Sequence, residues 1–348
     1  MKKIQKSVLA VLLTGAMAVC GTGCSSAPAS GTADSAPQSE KEGTDSEGKG
    51  QTEAGSGDQL TFGLVVMSTN SDYWLTLKDG AQEAVDQIGG ELVFTGPADN
   101  NDIQGQVALV ENLINSKVDA ILLTPLDSDA LAAPVEEAMD AGIPVIVIDS
   151  QVNTDKYTSY IATDNVAGGE LAMNTLSQLM GGEGEVVVVN ALAGIPSNDN
   201  RGIGAEKAAN ANEKLTLLPQ QHCLDQAEAL TNTENILTGN PNLKGIFATF
   251  NRGALGAAQA VQSKEKVGEV KIVAYDADAD EIKLMEEGVI DALVVQQPFE
   301  MGRLGIEYAL KALNGEEVPK SIAPDVVLAT KENMNDPEVH KVLFPKGK

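Results

Sequence analysis

The chain predicts an α/β protein made of two doubly wound parallel-sheet lobes, on three observations. From Leu60 onward, short apolar runs alternate with amphipathic stretches long enough for helices. The runs LVV, AILL and VIVI are continuous rather than alternating, as in strands covered on both faces. The alternation reaches Asp149 and then begins again, which asks for a second unit of similar build.

Taken in order, TFGLVVM reads as a strand and YWLTLKDGAQEAVDQIG as a helix stopped by glycine. ELVFTG and DIQGQVALVENLINSK repeat the pair, as do DAILLTP and DALAAPVEEAMDAG, and IPVIVID is a fourth strand. The second series opens with SYIA and the helix VAGGELAMNTLSQLM. EVVVVN precedes a helix around RGIGAEKAANANEK, and LTLLPQQ precedes AEALTNTENILTG. KGIFATF with RGALGAAQAVQSK, EVKIVAYD with ADEIKLMEEG, and VIDALVVQ with PFEMGRLGIEYALKALNG complete it. Right-handed crossovers put the loops after each strand at the carboxyl edge of its sheet, where such folds bind ligands. A cleft between two facing lobes is the expected site.

The ends and the charge narrow the function. With 50 acidic and 24 basic residues the formal charge is −26, which argues against a nucleic-acid partner. Residues 1–23 read as a signal peptide, with a basic MKKIQK and a short apolar run that ends in small residues. The sequence GTGCSS resembles a bacterial lipoprotein signal with lipidation at Cys24, although Gly21 stands where leucine is usual. Cys20, preceded by Val19, is the weaker candidate, and plain secretion with a free Cys24 is the alternative. Residues 24–59 are Ser, Gly and acid-rich and lack a large apolar residue, so they read as a disordered tether. The remaining cysteine, Cys223, leaves no disulfide framework.

Aromatic residues make up 3% of the chain, yet Tyr73 and its only tryptophan, Trp74, stand side by side just past the first strand. That position points to the cleft rather than the core. Flat aromatic faces there suit a ligand with an apolar face and a polar rim, such as a pyranose ring. Simple packing of the pair against the neighbouring loop is the competing explanation.

Residues from about 60 to 345 resemble the periplasmic sugar-binding proteins of the ribose-binding type, the solute receptors of ABC importers. The resemblance rests on STNSDYWLTLKDGAQ, ILLTPLDSDAL, IPVIVIDS, IATDNVAGGELA, NRGIGAE, ALGAAQAV, IVAYDADADEI and VVQQPFEMG in that order. It implies the type I periplasmic binding protein fold, two lobes joined by three crossover strands that close around a ligand. The lobes would be residues 60–162 plus 297–324 and residues 163–296 plus 325–348. The hinges would lie at Thr163, Asp164, Gln297 and Asp325.

The resemblance also implies a pocket. Tyr73 and Trp74 would sandwich the sugar, Asp149 and Asp276 would accept its hydroxyls, Arg201 would reach the ring oxygen or a hydroxyl, and Gln296 would join from the crossover. Charge-assisted bonds from two carboxylates and a guanidinium to vicinal hydroxyls are sound chemistry without the family. This chain departs from the pattern at Ser71, where asparagine is frequent, at Ser150, where arginine is, and at Phe250, which replaces an asparagine. Leu224 stands where a third aromatic is expected. These changes leave a pocket less polar than a ribose site.

Local readings compete with these assignments. Asp149 and Asp276 also suit N-cap positions, and Arg201 a helix surface. Asp276 to Glu287 imitates a calcium loop but has Glu281 where the turn needs glycine, so no metal is expected. His222 and Cys223 have no zinc spacing, and no dinucleotide or phosphate loop follows a strand, so no cofactor is expected. No catalytic acid–base arrangement can be placed, which weighs against a secreted enzyme.

The expectation is therefore an extracytoplasmic solute-binding lipoprotein, a monomer anchored through Cys24 to the outer face of the cell membrane. It would deliver a monosaccharide or related polyol to an ABC permease. The alternatives are a ligand-presenting subunit for a chemoreceptor or histidine kinase, or a receptor for a non-sugar such as a nucleoside.

Overall fold

The computed structural model describes residues 59–98 and 101–345. The signal peptide, Cys24 and nearly all of the tether lie outside the described residues. The first lobe is laid down in chain order as β1 (Thr61–Val65), α1 (Asp72–Ile88), β2 (Glu91–Thr95), α2 (Ile103–Ser116), β3 (Ala120–Leu123), α3 (Ala132–Asp140), β4 (Val145–Ile148) and β5 (Ser159–Ile161). The chain crosses to the second lobe as α4 (Asn165–Leu179), β6 (Gly184–Asn190), α5 (Pro196–Asn210), β7 (Leu215–Leu217), β8 (Gln221–His222) and α6 (Gln226–Gly239). That lobe continues with β9 (Leu243–Ala248), α7 (Asn251–Ser263), β10 (Lys271–Tyr275), α8 (Ala279–Glu286) and β11 (Ala292–Val295). A second crossing brings α9 (Pro298–Leu313) and β12 (Ser321–Ile322) back to the first lobe. A third leads to β13 (Val327–Thr330) and α10 (Pro337–Leu343).

The first sheet runs β12-β5-β4-β3-β1-β2, parallel throughout. The second runs β13-β11-β10-β9-β6-β7, with β8 also on β6 and only β13 antiparallel. The two share one plan: the opening strand sits inside, its successor on one side and the later strands on the other. The order therefore reverses beside β1 and beside β6, and each reversal opens a crevice at the carboxyl edge.

Each sheet is dry on both faces. In the first, Phe62, Leu64, Ile146 and Ile148 pack under α1 and α9, while Val65, Ile121, Leu123 and Val147 pack under α2 and α3. In the second, Val186, Val188, Phe247 and Val273 face α4 and α5, and Val187, Val189, Ile246 and Ala274 face α6 and α7. Successive strand residues point to opposite faces, so a strand buried on both sides must be apolar throughout.

Glycine brings two helix pairs to backbone contact. A Cβ on Gly80 of α1 would stand 1.9 Å from the Phe299 carbonyl oxygen, and one on Gly302 of α9 would stand 2.0 Å from that of Leu77. In the second lobe a Cβ on Gly169 of α4 would meet the Arg201 oxygen at 2.0 Å, and one on Gly204 of α5 the Val166 oxygen at 2.0 Å.

Four expectations from the periodicity need correction. SYIA, read as the opening strand of the second series, is β5 and pairs with β4 in the first sheet. Helix α5 begins at Pro196, five residues before the predicted Arg201, because proline fits a first turn whose N–H has no helical acceptor. LTLLPQQ is two short strands, β7 and β8, on either side of Pro219, and both pair with β6. Helix α3 starts late, at Ala132, because the Asp127 carboxylate accepts the N–H of Asp129 and Ala130 and holds a turn there. Strands β12 and β13 and helix α10 were not anticipated.

Candidate functional site

Asp149 follows β4 directly and Asp276 follows β10, the corresponding place in the other lobe. Both have left-handed backbones, with φ of 67° and 80°. The N–H of Ser150 donates to the Ile148 carbonyl at 2.8 Å, which closes a three-residue turn on Asp149. Such conformations cost about 1–3 kcal/mol in a residue other than glycine. Both carboxylates stand at the carboxyl edges of their sheets, Asp276 with its N–H on the Val294 carbonyl at 2.9 Å.

Helix α1 begins at the end of the β1 loop and carries Tyr73 in its first turn. The Tyr73 hydroxyl donates to Asp149 Oδ1 at 2.9 Å, and Ser150 Oγ donates to Asp149 Oδ2 at 3.2 Å. Gln296, where the chain leaves β11, links the lobes. Its carbonyl accepts the Thr163 hydroxyl at 2.7 Å, and its amide N–H donates to Asp276 Oδ1 at 2.8 Å. The opposite amide orientation would set two oxygens against each other at Asp276, so the network fixes this one.

Arg201 on α5 is 5% exposed. Its Nε–H donates to Asn165 Oδ1 at 2.8 Å and Nη1–H to the Thr249 carbonyl at 2.8 Å. Its guanidinium lies 3.8 Å from the Tyr275 ring centroid, and Nη1 stands 3.8 Å from Asp276 Oδ2. A guanidinium buried to this degree needs its donors engaged, and three elements of the lobe supply acceptors.

Burial pushes the Asp149 carboxyl above its ordinary range, against the opposing pull of the Tyr73 hydrogen bond and the Arg201 charge. Burial, with Asp149 and Asp276 nearby, holds the Tyr73 phenol well above its usual value, so it is a neutral donor. Tyr275 is pushed up to about 12, mainly by burial.

Tyr73, Asp276 and Gln296 form one wall of a cavity of about 400 Å³. Asp72 and Thr76 line it from the first lobe, Asp278, Ile282 and Glu286 from the second, and Phe344 from the C-terminal segment. Asp278 is pushed upward by burial and then by the Asp276 and Asp72 charges. The cavity is thus bounded by both lobes, and its lining holds four acidic side chains against one basic, Lys283.

Residues 62–317 match the periplasmic binding protein domain. The chain belongs to this family. The ribose import binding protein of Escherichia coli is 34% identical over 272 residues, 78% of this chain and 91% of its own. A solved ABC transporter solute-binding protein from Agrobacterium vitis with bound D-fucose is 37% identical, covers 82% of this chain and all of its own (100%), and gives a TM-score of 0.72. Another from Actinobacillus succinogenes with bound D-allose is 31% identical, covers 79% and 98%, and gives a TM-score of 0.74.

In this periplasmic binding protein Tyr73, Asp149, Ser150, Arg201, Asp276 and Gln296 come together in one polar cluster. Trp74 lies elsewhere: it is 8% exposed and packs in the core with Phe62, Leu64 and Leu77. Its ring meets Tyr73 edge-to-face, at 4.7 Å and 89°, so the pair presents no two parallel faces. Phe250 caps α7 and turns back against it, so that a Cβ on Gly253 would meet its ring at 2.6 Å. Ser71 is the N-cap of α1, without a side-chain capping bond.

The three crossings are held together. Thr163 bonds Gln296, and the Gln297 amide donates to the Asp325 carbonyl at 2.7 Å. Asp164 caps α4 through the Ala167 N–H at 2.9 Å. Sequence reasoning missed Asn165, Thr249 and Tyr275, the groups that orient Arg201. It also missed Leu192, which is exposed, as is the singled-out Leu224, where β6 and β8 end in register.

Proposed function

We propose that this protein is an extracytoplasmic solute receptor that captures a monosaccharide or related polyol between its lobes and delivers it to an ABC importer. The observation that carries this reading is the polar cluster of Asp149, Tyr73, Gln296, Asp276 and Arg201, which draws on both lobes and a crossing. A sugar that bridges the lobes binds the closed arrangement better than the open one, and so shifts the population toward it. The relatives named for ribose, D-fucose and D-allose support the ligand class.

Thr163, Asp164, Gln297 and Asp325 are the hinge positions, because the crossings are the backbone segments that must turn when the lobes part. Residues 60–162 with 297–324, and 163–296 with 325–348, move as the two bodies. Cys24 carries the lipid, and residues 24–59 tether the monomeric receptor to the membrane. Thermal melting of the purified full-length protein against aldoses, ketoses, deoxysugars and polyols tests the reading. A saturating ligand adds RT ln(1 + [L]/Kd), about 2.7 kcal/mol at a hundredfold excess over Kd. Absence of stabilisation by every sugar and polyol would overturn it.

A further inference from the structure

We infer that the Tyr73 hydroxyl stands in for a ligand hydroxyl on Asp149, so that the cleft selects a sugar lacking the hydroxyl that would otherwise reach that carboxylate. The inference rests on the sugar-capture reading and names which sugars the site favours.

The two carboxylates of the cleft are in different states. Asp149 has a chain hydroxyl on each oxygen, Tyr73 on Oδ1 and Ser150 on Oδ2. Asp276 has one oxygen on the Gln296 amide, while the other stands 3.8 Å from Arg201. Asp276 lines the interlobe cavity, whereas Asp149 is not among its lining residues and Tyr73 is. Beside Asp72 and Thr76, what a ligand in that cavity meets at the place of Asp149 is the Tyr73 phenol.

The phenol has a single proton. Of its near neighbours, Asp149 Oδ1 at 2.9 Å is the closest and the charged one, so the proton goes there. Gln296 Oε1 at 3.4 Å already accepts from Thr163, and Met301 Sδ lies at 3.9 Å. The phenol oxygen is thus ringed on its inner side. A ligand hydroxyl that is to reach Asp149 Oδ1 must displace Tyr73 and break a charge-assisted bond. A C–H or methyl group at that place leaves every buried polar group paired, which is the condition for favourable burial. Ser150 runs the same way, since its hydroxyl already donates to the other Asp149 oxygen.

The test is calorimetric titration of the full-length protein with matched pairs: D-galactose and D-fucose, D-allose and 6-deoxy-D-allose, D-ribose and 2-deoxy-D-ribose. The expected result is that, in at least one pair, the deoxy member binds about 10- to 100-fold more tightly than its parent. Tyr73→Phe should then erase that preference by strengthening the parent, because Asp149 regains a free oxygen. If Tyr73→Phe does not fold, Tyr73→Phe with Asp149→Asn removes the charge as well, and the same loss of preference is expected. Parents that bind as tightly as every deoxy partner, or a preference unmoved by either variant, overturn the inference and leave sugar capture standing. If no sugar in the panel binds, this inference is overturned, and sugar capture falls with it only where the wider melting screen of sugars and polyols fails as well.

Discussion

In the first lobe Gly80 and Gly302 let α1 and α9 touch backbone to backbone; in the second, Gly169 and Gly204 do so for α4 and α5. One helix of each pair starts straight after a crossing, α9 after Gln297 and α4 after Asp164. The other carries a residue of the polar cluster, Tyr73 on α1 or Arg201 on α5. The difference lies in what the presented residue needs. Tyr73 brings one neutral hydroxyl and leans on one carboxylate. Arg201 brings a buried charge that must be met by Asn165, Thr249, Tyr275 and Asp276. A shared scaffold therefore supports a lightly held donor in one lobe and an over-determined one in the other. Stability should depend on the second far more than on the first.

Replacing Arg201 with alanine is the strongest test of that contrast. It strips donors from the Thr249 carbonyl and Asn165, leaves Asp276 without its cation and uncovers Tyr275. Urea unfolding should show a loss of about 3–5 kcal/mol. Tyr73→Phe should lose about 1.5–3 kcal/mol, the value of one bond to a charged group. Equal losses would remove the distinction.

Next come the glycines. Gly80→Ala and Gly169→Ala each push a methyl into a carbonyl oxygen at 1.9 and 2.0 Å, so each should cost about 1–3 kcal/mol of overpacking. They should differ in function, since Gly169 sits on the Arg201 backbone itself. Titration with a bound sugar should show the Gly169 variant losing more affinity than the Gly80 variant.

The smallest expected effect is a pH dependence. Burial raises Glu281 in the second lobe well above its ordinary value, and raises Asp149 in the first by less. A carboxyl raised on folding stabilises fully below its unfolded value, about 4.3 for Glu and 3.9 for Asp. That contribution is lost as pH rises through the folded value. Melting temperature should therefore fall as pH climbs from about 4.3 toward neutrality. Glu281→Gln, whose amide imitates the protonated acid, should flatten the slope, and Asp149→Asn should flatten it less. Burial holds Glu281, with its Oε2 accepting the Asp278 N–H at 3.1 Å, so an unchanged slope in Glu281→Gln would deny that assignment.

The sheets were legible because strands buried on both faces must be unbroken apolar runs, and helices of this fold take up what lies between. The carboxylates were legible by place, since a residue that ends a strand of such a sheet faces the ligand edge. Trp74 was misread because rarity says nothing about direction. Its spacing to Leu77, Ala81 and Val85 is that of a buried helical stripe, and Tyr73, one residue earlier, is turned about 100° away. The partners of Arg201 were illegible for another reason: Asn165 and Thr249 lie 36 and 48 residues away along the chain. β5 carries three residues, too few to say which sheet it joins.

The chain's single tryptophan sits in the core of the first lobe, while Cys223, the one cysteine among the described residues, is fully buried in the second. Burial pushes the Cys223 thiol up to about 11, so it stays unreactive while its surroundings hold. Indole emission therefore reports when one half of the molecule melts, and trapping of the Cys223 thiol, read apart from Cys20 and Cys24, reports when the other half opens. The unlabelled protein thus carries two clocks, enough to ask whether its halves come apart together or in turn.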